Sequence, residues 1–511
     1  MSDWTHGYVA DVGYTYGYYG ELNPLNAEFA LLEAGLLPPK RTTACELGFG
    51  QGLSINIHAA ASTTEWYGTD FNPAQAAFAQ ELAQASGAKV SVYDDAFAEF
   101  AHRPDLPDFD FIGVHGIWSW ISDENRRVIV DFVRRKLRVG GVLYVSYNTM
   151  PGWSAFAPIR HLITEHAEVM GASGRGLVPR INDALDFASK LVATNPIFAR
   201  ANPQIVDRLT KLQAQNRHYL AHEYFNRDWH PMHFATMAEW LQPAKVQYAG
   251  SASYIDHIDL INLTSEQQAF LKEIPDRMFR ESARDFMVNQ QFRRDYWIKG
   301  VRPLTGREQR QRIRALKFIL TTHRPDVPLK IMGAMGEGNL NEPIYGPILD
   351  ALADHKPCEL GQLEKNLRGK GINFVQLFQA MIALVGSSHL ARVQDEAIID
   401  QARPQTKKLN TQLMEHAKSG GDVIHLASPV TGGGIVIDRF QQLFLLARRE
   451  GLQRPDEWAA FAWRILAEQE QKILKDGKTL QTPEENLAEM NVQAKEFAEK
   501  RLMVMEGAGI T

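Results

Sequence analysis

Three glycines at alternating positions, in Glu46-Leu47-Gly48-Phe49-Gly50-Gln51-Gly52, stand between an apolar run at 43–47 and a second that begins at Leu53. A short apolar run, a glycine loop and then apolar residues at helical spacing read as strand, tight turn and helix. Glycine lets such a turn approach a ligand closely because no Cβ intervenes. The chemistry served is binding of a nucleotide-like group. Alone, the loop leaves open a nicotinamide-dependent dehydrogenase, whose loop prefers G-x-G-x-x-G, and a tight turn without ligand. Asp70 narrows the choice. It ends an apolar run at 66–70, 24 positions after Glu46, and a carboxylate at a strand end can accept hydrogen bonds from both hydroxyls of a ribose. A third run ends in Tyr93-Asp94-Asp95-Ala96-Phe97. One of these aspartates, with Asp95 the better placed, is expected to accept a hydrogen bond from an adenine amino group, the other to cap a helix.

Residues so spaced need a parallel α/β sheet behind them, and the first 150 residues have that pattern. Asn23-Pro24 and Asn72-Pro73 each pair an N-cap with proline at the first helical position; Pro38-Pro39 stops the first helix and Gly87 the second. Strands are expected at 43–47, 66–70, 109–114 and 142–147. Ser122 caps a helix from 123 to 137, with Asp123 and Glu124 in its first turn. Residues 158–219 read as a helical insertion, after which a helix at 234–241 and strands at 245–249 and 292–300 complete the sheet. Three helices (344–353, 360–367, 374–384) and a small hairpin through 389–399 then suggest a winged-helix module, followed by a helical tail from 454 to 505.

At 511 residues, 45% hydrophobic and 23% charged, the chain has the composition of a folded globular protein long enough for two or three domains. A net charge of -5 is small for this length and advertises neither a nucleic-acid nor a membrane partner. Cys45 and Cys358 lie far apart, which argues against a disulfide framework and a structural zinc site. A reducing compartment, no secretory signal in the first 20 residues and no long apolar span lead to an expected cytoplasmic location. His222, Glu223, His230 and His233 lack the H-E-x-x-H spacing, so no metal is expected there. Seven basic residues against one acid between Lys299 and Lys317 read as a solvated helical face in preference to a nucleic-acid contact.

The E-x-G-x-G-x-G loop, the acid at 70 and the D-A-F at 95–97 together resemble the motif series of class I S-adenosylmethionine (SAM) methyltransferases. Asp110 to Ile121, containing His115-Gly116-Ile117-Trp118-Ser119-Trp120, and Gly140 to Trp153, containing Ser146-Tyr147-Asn148-Thr149-Met150-Pro151-Gly152-Trp153, resemble the bacterial protein lysine methyltransferases that carry a methyltransferase regulatory domain. The likeness continues through His222-Glu223-Tyr224-Phe225-Asn226, Ala249-Gly250-Ser251-Ala252, Leu426-Ala427-Ser428-Pro429-Val430 and Gly432-Gly433-Gly434-Ile435.

The resemblance implies a class I SAM methyltransferase Rossmann-like α/β domain with a helical insertion, and a mostly α, winged-helix-like C-terminal domain. The expected divisions are 1–156 for the SAM-binding core, 157–232 for the helical insertion, 233–302 for completion of the sheet, 303–342 for a linker and 343–511 for the C-terminal domain. It implies SAM as cofactor, held by Glu46, Gly48, Gly50, Gly52, Asp70, Asp95, Ala96 and His115, with packing as the alternative for His115. It implies a protein substrate of the outer-membrane-protein type, methylated on lysine by direct in-line displacement, and is compatible with a homodimer. A nucleic-acid or small-molecule acceptor and a non-catalytic SAM-binding adaptor are the alternatives. The N-P-P-Y motif of amino-directed DNA methylation is absent after the fourth strand, where His115-Gly116-Ile117-Trp118 stands.

Lysine, with a reference pKa of about 10.4, must be desolvated to lose its proton, and aromatic faces can hold the cation beforehand. Trp118 and Trp120 past the fourth strand, and Tyr147 and Asn148 at the end of the fifth, are the candidate catalytic residues, with simple packing as the alternative for the tryptophans. Tyr14, Tyr16, Tyr18 and Tyr19 form either a lid over the cofactor or a packed N-terminal arm.

Overall fold

The computed structural model describes residues 15–171 and 174–511. Seven strands form one sheet: β1 (Thr43–Leu47), β2 (Glu65–Thr69), β3 (Val90–Tyr93), β4 (Phe109–Val114), β5 (Leu137–Asn148), β6 (Val246–Ser251) and β7 (Phe292–Lys299). Their spatial order is β3-β2-β1-β4-β5-β7-β6. The first five run parallel, and β7 is antiparallel to both its neighbours. Every residue of β1 and of β4 is buried, as continuous apolar runs require when helices cover both faces of a sheet.

The helices start where capping chemistry says they should. Asn23 and Asn72 accept hydrogen bonds from the N–H groups of Leu25 and Ala74, opening α1 (Pro24–Glu33) and, after α2 (Leu53–Ala60), α3 (Pro73–Ser86). α1 ends well before Pro38-Pro39, because the chain turns at Gly35 with φ +72°. After α4 (Phe97–Ala101), Ser122 caps α5 (Asp123–Lys136), whose acidic first turn and basic last turn complement the helix dipole.

The insertion comprises α6 (Ala157–Val169), α7 (Leu177–Ala193), α8 (Ile197–Ala201), α9 (Gln204–Gln213) and α10 (Arg217–Tyr224). Ile163, Ile181, Leu185, Leu209 and Leu220 form a core of their own within it. α11 (Phe234–Leu241) leads into β6; α12 (Asp259–Asn262), α13 (Ser265–Glu273) and α14 (Arg277–Val288) lead into β7. Between α10 and α11 the chain returns to the sheet's carboxyl end, where the His230 N–H donates to Ser119 O and the Met232 N–H to Asn148 O, at 2.8 and 3.0 Å.

Residues 303–342, expected as a linker, hold α15 (Gly306–Arg314), β8 (Lys317–Leu320) and a hairpin of β9 (Lys330–Gly333) with β10 (Gly336–Asn339). The helices α16 (Glu342–Ala351), α17 (Leu360–Leu367) and α18 (Phe374–Gly386) lie where the apolar spacing predicts. The hairpin expected through 389–399 does not form. β12 (Leu390–Val393) is a single strand, and α19 (Glu396–His416) begins three residues later. β12 pairs instead with β8, which lies between β12 and the short β11 (Cys358–Glu359). A strand's partner is not encoded next to it, and here the partner lies ahead of all three helices.

The C-terminal portion continues through β13 (His425–Ser428), β14 (Gly433–Val436), α20 (Arg439–Arg449), α21 (Pro455–Glu468) and α22 (Pro483–Glu496). It is tied to the sheet domain by the Gln394 amide, which donates to Ala61 O and Pro429 O, each at 2.7 Å. No described helix is long and apolar enough to cross a membrane.

Candidate active site

The carboxyl ends of β1, β2 and β4 enclose a cleft of about 380 Å³. It opens where the chain runs from β1 to β2 on one side and to β4 on the other, the switch point at which open parallel sheets bind ligands. Of the residues expected from sequence, Glu46, Gly48, Gly50, Asp70, Ala96, His115 and Trp120 line it. Gly48 and Gly52 turn with φ of +75° and +71°. A Cβ at Gly48 would fall 2.8 Å from Ile117 Cγ2, and one at Gly52 would fall 2.4 Å from Ala79 Cβ. Gly48 is therefore required by the approach of the loop after β4. Gly52 is required by the packing of α2 on α3 and stands outside the cleft wall.

Asp70 receives the Gly50 N–H at 2.9 Å on Oδ2 and the Asn72 N–H at 3.1 Å on Oδ1. These bonds fix the carboxylate at the end of β2 and leave each oxygen a further lone pair for a ribose hydroxyl. Burial pushes the Asp70 carboxyl up to about 6, against the pull of the two N–H donors. It is thus ionised at neutral pH, at a cost in stability that is absent in acid, grows as the pH rises from the ordinary carboxyl value of 3.8 toward 6, and is fully present above it. Affinity for a ribose-bearing ligand is expected to fall below about pH 6 as Asp70 takes up a proton and loses acceptor strength, and calorimetric titration between pH 5 and 8 should show no such fall in Asp70→Asn. Burial, reinforced by the charge of Asp70, holds the Glu46 carboxyl well above its ordinary range. Glu46 Oε2 is buried without a hydrogen-bond partner among the described residues. A cation in the cleft satisfies that oxygen and returns the group to its ionised form, so the donor set fits the sulfonium and ammonium of SAM.

His115 closes the middle of the cleft. Its Nδ1 lies 2.8 Å from the Tyr144 hydroxyl, and its ring stacks on Tyr19 with centroids 3.7 Å apart. Burial, with Arg294 nearby, brings its pKa down to about 3, so the ring is neutral at physiological pH. The Ser146 hydroxyl receives the Gly116 N–H at 2.8 Å and holds the same turn. Of the aromatic N-terminal residues, Tyr19 lines the cleft, whereas Tyr16 packs on Phe78 and His416, and Tyr18 on His58 and His425. The arm is thus both a wall and a packed strap; Tyr14 lies outside the described residues. Gly433 lies on β14 to make room for it, since a Cβ there would sit 2.3 Å from the Tyr18 hydroxyl.

Besides Gly52, four expected site residues lie elsewhere. Asp95 is turned to Arg103, which donates to both its oxygens and lies over the Tyr93 ring. The cleft wall there is built from Phe71 and Ala96 to Ala98. Trp118 is buried in the core beneath α5 and α11, its indole N–H reaching Met232 Sδ at 3.4 Å and its ring meeting Trp240 edge-on. Tyr147 follows the period of two along β5 and projects to the face opposite Tyr144 and Ser146. Its hydroxyl donates to Asp295 at 2.9 Å, and Asp295 in turn accepts from the buried Arg293. Asn148 anchors the strand end, its N–H donating to Ser119 Oγ and its carbonyl accepting from Met232.

Sequence reasoning placed Tyr19 among the aromatic residues over the cleft but missed Phe71, Phe97 and Asp228. Phe71 and Phe97 directly follow residues already chosen, so adjacency could have found them; nothing local pointed to Asp228. Trp118→Ala is expected to cost about 3 to 5 kcal/mol of stability as a core cavity, read as a lowered denaturation midpoint. Trp120→Ala, at a side chain also buried but lining the cleft, should lower turnover as well as stability, and single-turnover rates on the folded variant separate the two.

A Rossmann-like sheet in this order, with a glycine loop after β1, an acid after β2 and one cleft at the switch point, defines a class I SAM-dependent methyltransferase. Residues 216–299 match the family described as a predicted methyltransferase regulatory domain. Protein sll1526 of the cyanobacterium Synechocystis, itself uncharacterized, is 39% identical over 99% of this chain and 100% of its own length. Protein RP789 of Rickettsia prowazekii is 25% identical over 56% of this chain and 52% of its own length. Among solved structures, PKMT2 from Rickettsia typhi in complex with AdoHcy superposes with a TM-score of 0.66 at 18% identity, covering 94% of this chain and 97% of that one. The chain belongs to the family of bacterial methyltransferases that carry the methyltransferase regulatory domain, together with the Synechocystis protein.

Proposed function

We propose that the protein transfers methyl groups from SAM to lysine side chains of a protein substrate by direct in-line displacement. The observation that carries this reading is the division of the cleft. One part has the glycine loop, Glu46 and Asp70; the other has Trp120, Glu124 and Asp228, with the exposed Arg227 beside Asp228, and its indole and two carboxylates suit a cation. Resemblance to the bacterial protein lysine methyltransferases and the likeness to PKMT2 support the same acceptor class, with outer-membrane-type proteins as the expected substrates.

SAM, when bound, supplies an electrophilic methyl group on a sulfonium. Asp70 holds the ribose, Phe71 and Phe97 present aromatic faces for the adenine, and Glu46 meets the positive end. Tyr19 and the neutral His115, stacked in the cleft wall, reduce its water and favour the free amine, whose proton passes to solvent before the nitrogen takes the methyl and the S–CH3 bond breaks to release AdoHcy as a neutral thioether. No covalent enzyme adduct is needed, and orientation of the nucleophile is the main demand on the protein. Incubation with labelled SAM and heat-denatured bacterial envelope protein should place the label on lysine side chains by mass spectrometry. Label on nucleic acid or on a metabolite would reject the lysine acceptor.

A further inference from the structure

The acceptor end of the cleft is closed by a segment distant in sequence from the motifs that build the rest. Asp228, in the connection between α10 and α11, lines the same cleft as the glycine loop and Trp120, and the next residue, Trp229, packs on Trp120. That connection lies inside the matched regulatory region. It is pinned at several points. Arg160 donates to Asn226 O at 2.5 Å, and the His230 and Met232 N–H groups bond to Ser119 O and Asn148 O. The Trp229 ring packs 6.2 Å from Trp120 and 5.0 Å from Trp153. The backbone at Asp228 is therefore held in place by groups on both sides.

Its carboxylate is weakly engaged. Arg227 Nη2 lies 3.9 Å and His230 Nε2 3.6 Å from it, both beyond hydrogen-bonding distance, and the buried Arg126 guanidinium on α5 interacts with its charge at longer range. The Asp228 side chain retains 26% of its exposure, so it faces the mouth of the cleft and not the core. A carboxylate that shares a methyl-transfer cleft with an indole favours a primary ammonium, through a charge-assisted hydrogen bond and the ring's negative face. It repels a nucleic-acid phosphate, and a neutral hydroxyl gains little from it.

We propose that Asp228 is the residue that selects the acceptor. It receives the ammonium of the incoming lysine beside Trp120 and sets its approach toward Glu46 and Asp70. The regulatory segment thereby supplies one wall of the acceptor site, and does not act only from outside. This inference rests on the lysine reading above.

The test is the initial rate of methyl incorporation from labelled SAM into heat-denatured bacterial envelope protein. Acceptor concentration is varied at saturating donor for the wild type, Asp228→Asn and Asp228→Glu, with melting curves to verify folding and mass spectrometry to assign the methylated group. Asp228→Asn should raise the acceptor KM about tenfold, as expected for loss of one charge-assisted contact, without changing the donor KM. Asp228→Glu should recover most of the loss. Raising salt from about 50 to about 300 mM should lower wild-type kcat/KM and leave Asp228→Asn nearly flat. An unchanged acceptor KM in Asp228→Asn, or equal loss of donor and acceptor affinity, overturns the role of Asp228 and leaves lysine methylation standing. Failure of the wild type to label lysine overturns the lysine reading itself.

Discussion

Asp70→Ala is expected to weaken SAM and AdoHcy binding by at least about 100-fold. Two ribose hydroxyls donating to one carboxylate are worth about 1.5 to 3 kcal/mol each, and about 3 kcal/mol together already corresponds to a factor of that size. The substitution also frees the Gly50 N–H, which Asp70 Oδ2 now receives at 2.9 Å, so the glycine loop loses its tie to the end of β2. Calorimetry on the folded variant measures the effect. Asp95→Ala is the matching control: the Asp95 carboxylate is occupied by Arg103, so its removal should change donor affinity less than about threefold, the loss of one weak exposed pair. If the two variants lost affinity equally, the donor pose assigned to this cleft would be wrong.

The second large effect concerns stability. Arg293, on β7, is enclosed, with Nη1 on Asp285 at 2.6 Å, Nε on Asp295 at 3.0 Å, and Nη2 on Glu281 and on the Tyr248 hydroxyl, both at 3.0 Å. One cation thus joins α14, β6, β7 and, through Tyr147, the end of β5. Arg293→Met leaves the carboxylates without their countercharge and is expected to cost about 3 to 5 kcal/mol, the range for breaking a buried ion pair by removing one partner. Arg293→Lys should recover only part, because a point charge cannot reproduce the guanidinium fork. The pH dependence has a definite sign. Burial has pushed Asp285 up to about 7 even with Arg293 beside it. Without the arginine its carboxyl binds a proton more tightly still, so the deficit of Arg293→Met should grow as the pH rises above 7 and be smallest below it, where Asp285 is protonated in both proteins. Denaturant unfolding at pH 6 and 8 distinguishes the two; a loss below about 1 kcal/mol at both would mean that solvent reaches these groups.

Much of the cleft was legible because its parts are contiguous. Glu46, Gly48, Gly50 and Asp70 each stand at a strand end that apolar runs and capping residues mark, and a strand end in a parallel sheet has only one place to go. Trp118 and Tyr147 show the limit. Trp118 lies between the cleft residues Ile117 and Trp120, and Tyr147 follows Ser146, which holds the turn at Gly116, yet a side chain's facing depends on strand parity and on what fills the opposite face. Trp118 is claimed by Met232 and Trp240, and Tyr147 by Asp295. Asp95 carried the right residue type, but an arginine eight positions later took its carboxylate.

By itself the sequence determined the nucleotide half of the cleft, since glycine spacing, capping and strand-end acids act over a few residues. Tertiary structure alone decided the rest of the cleft. Asp228 joins Trp120 in lining it because the chain comes back across the ends of β4 and β5 after five helices, and Tyr19 stacks on His115 while Gly433, more than 400 residues away, leaves room for Tyr18. Contacts of that range depend on packing between surfaces, which no local pattern of residues specifies.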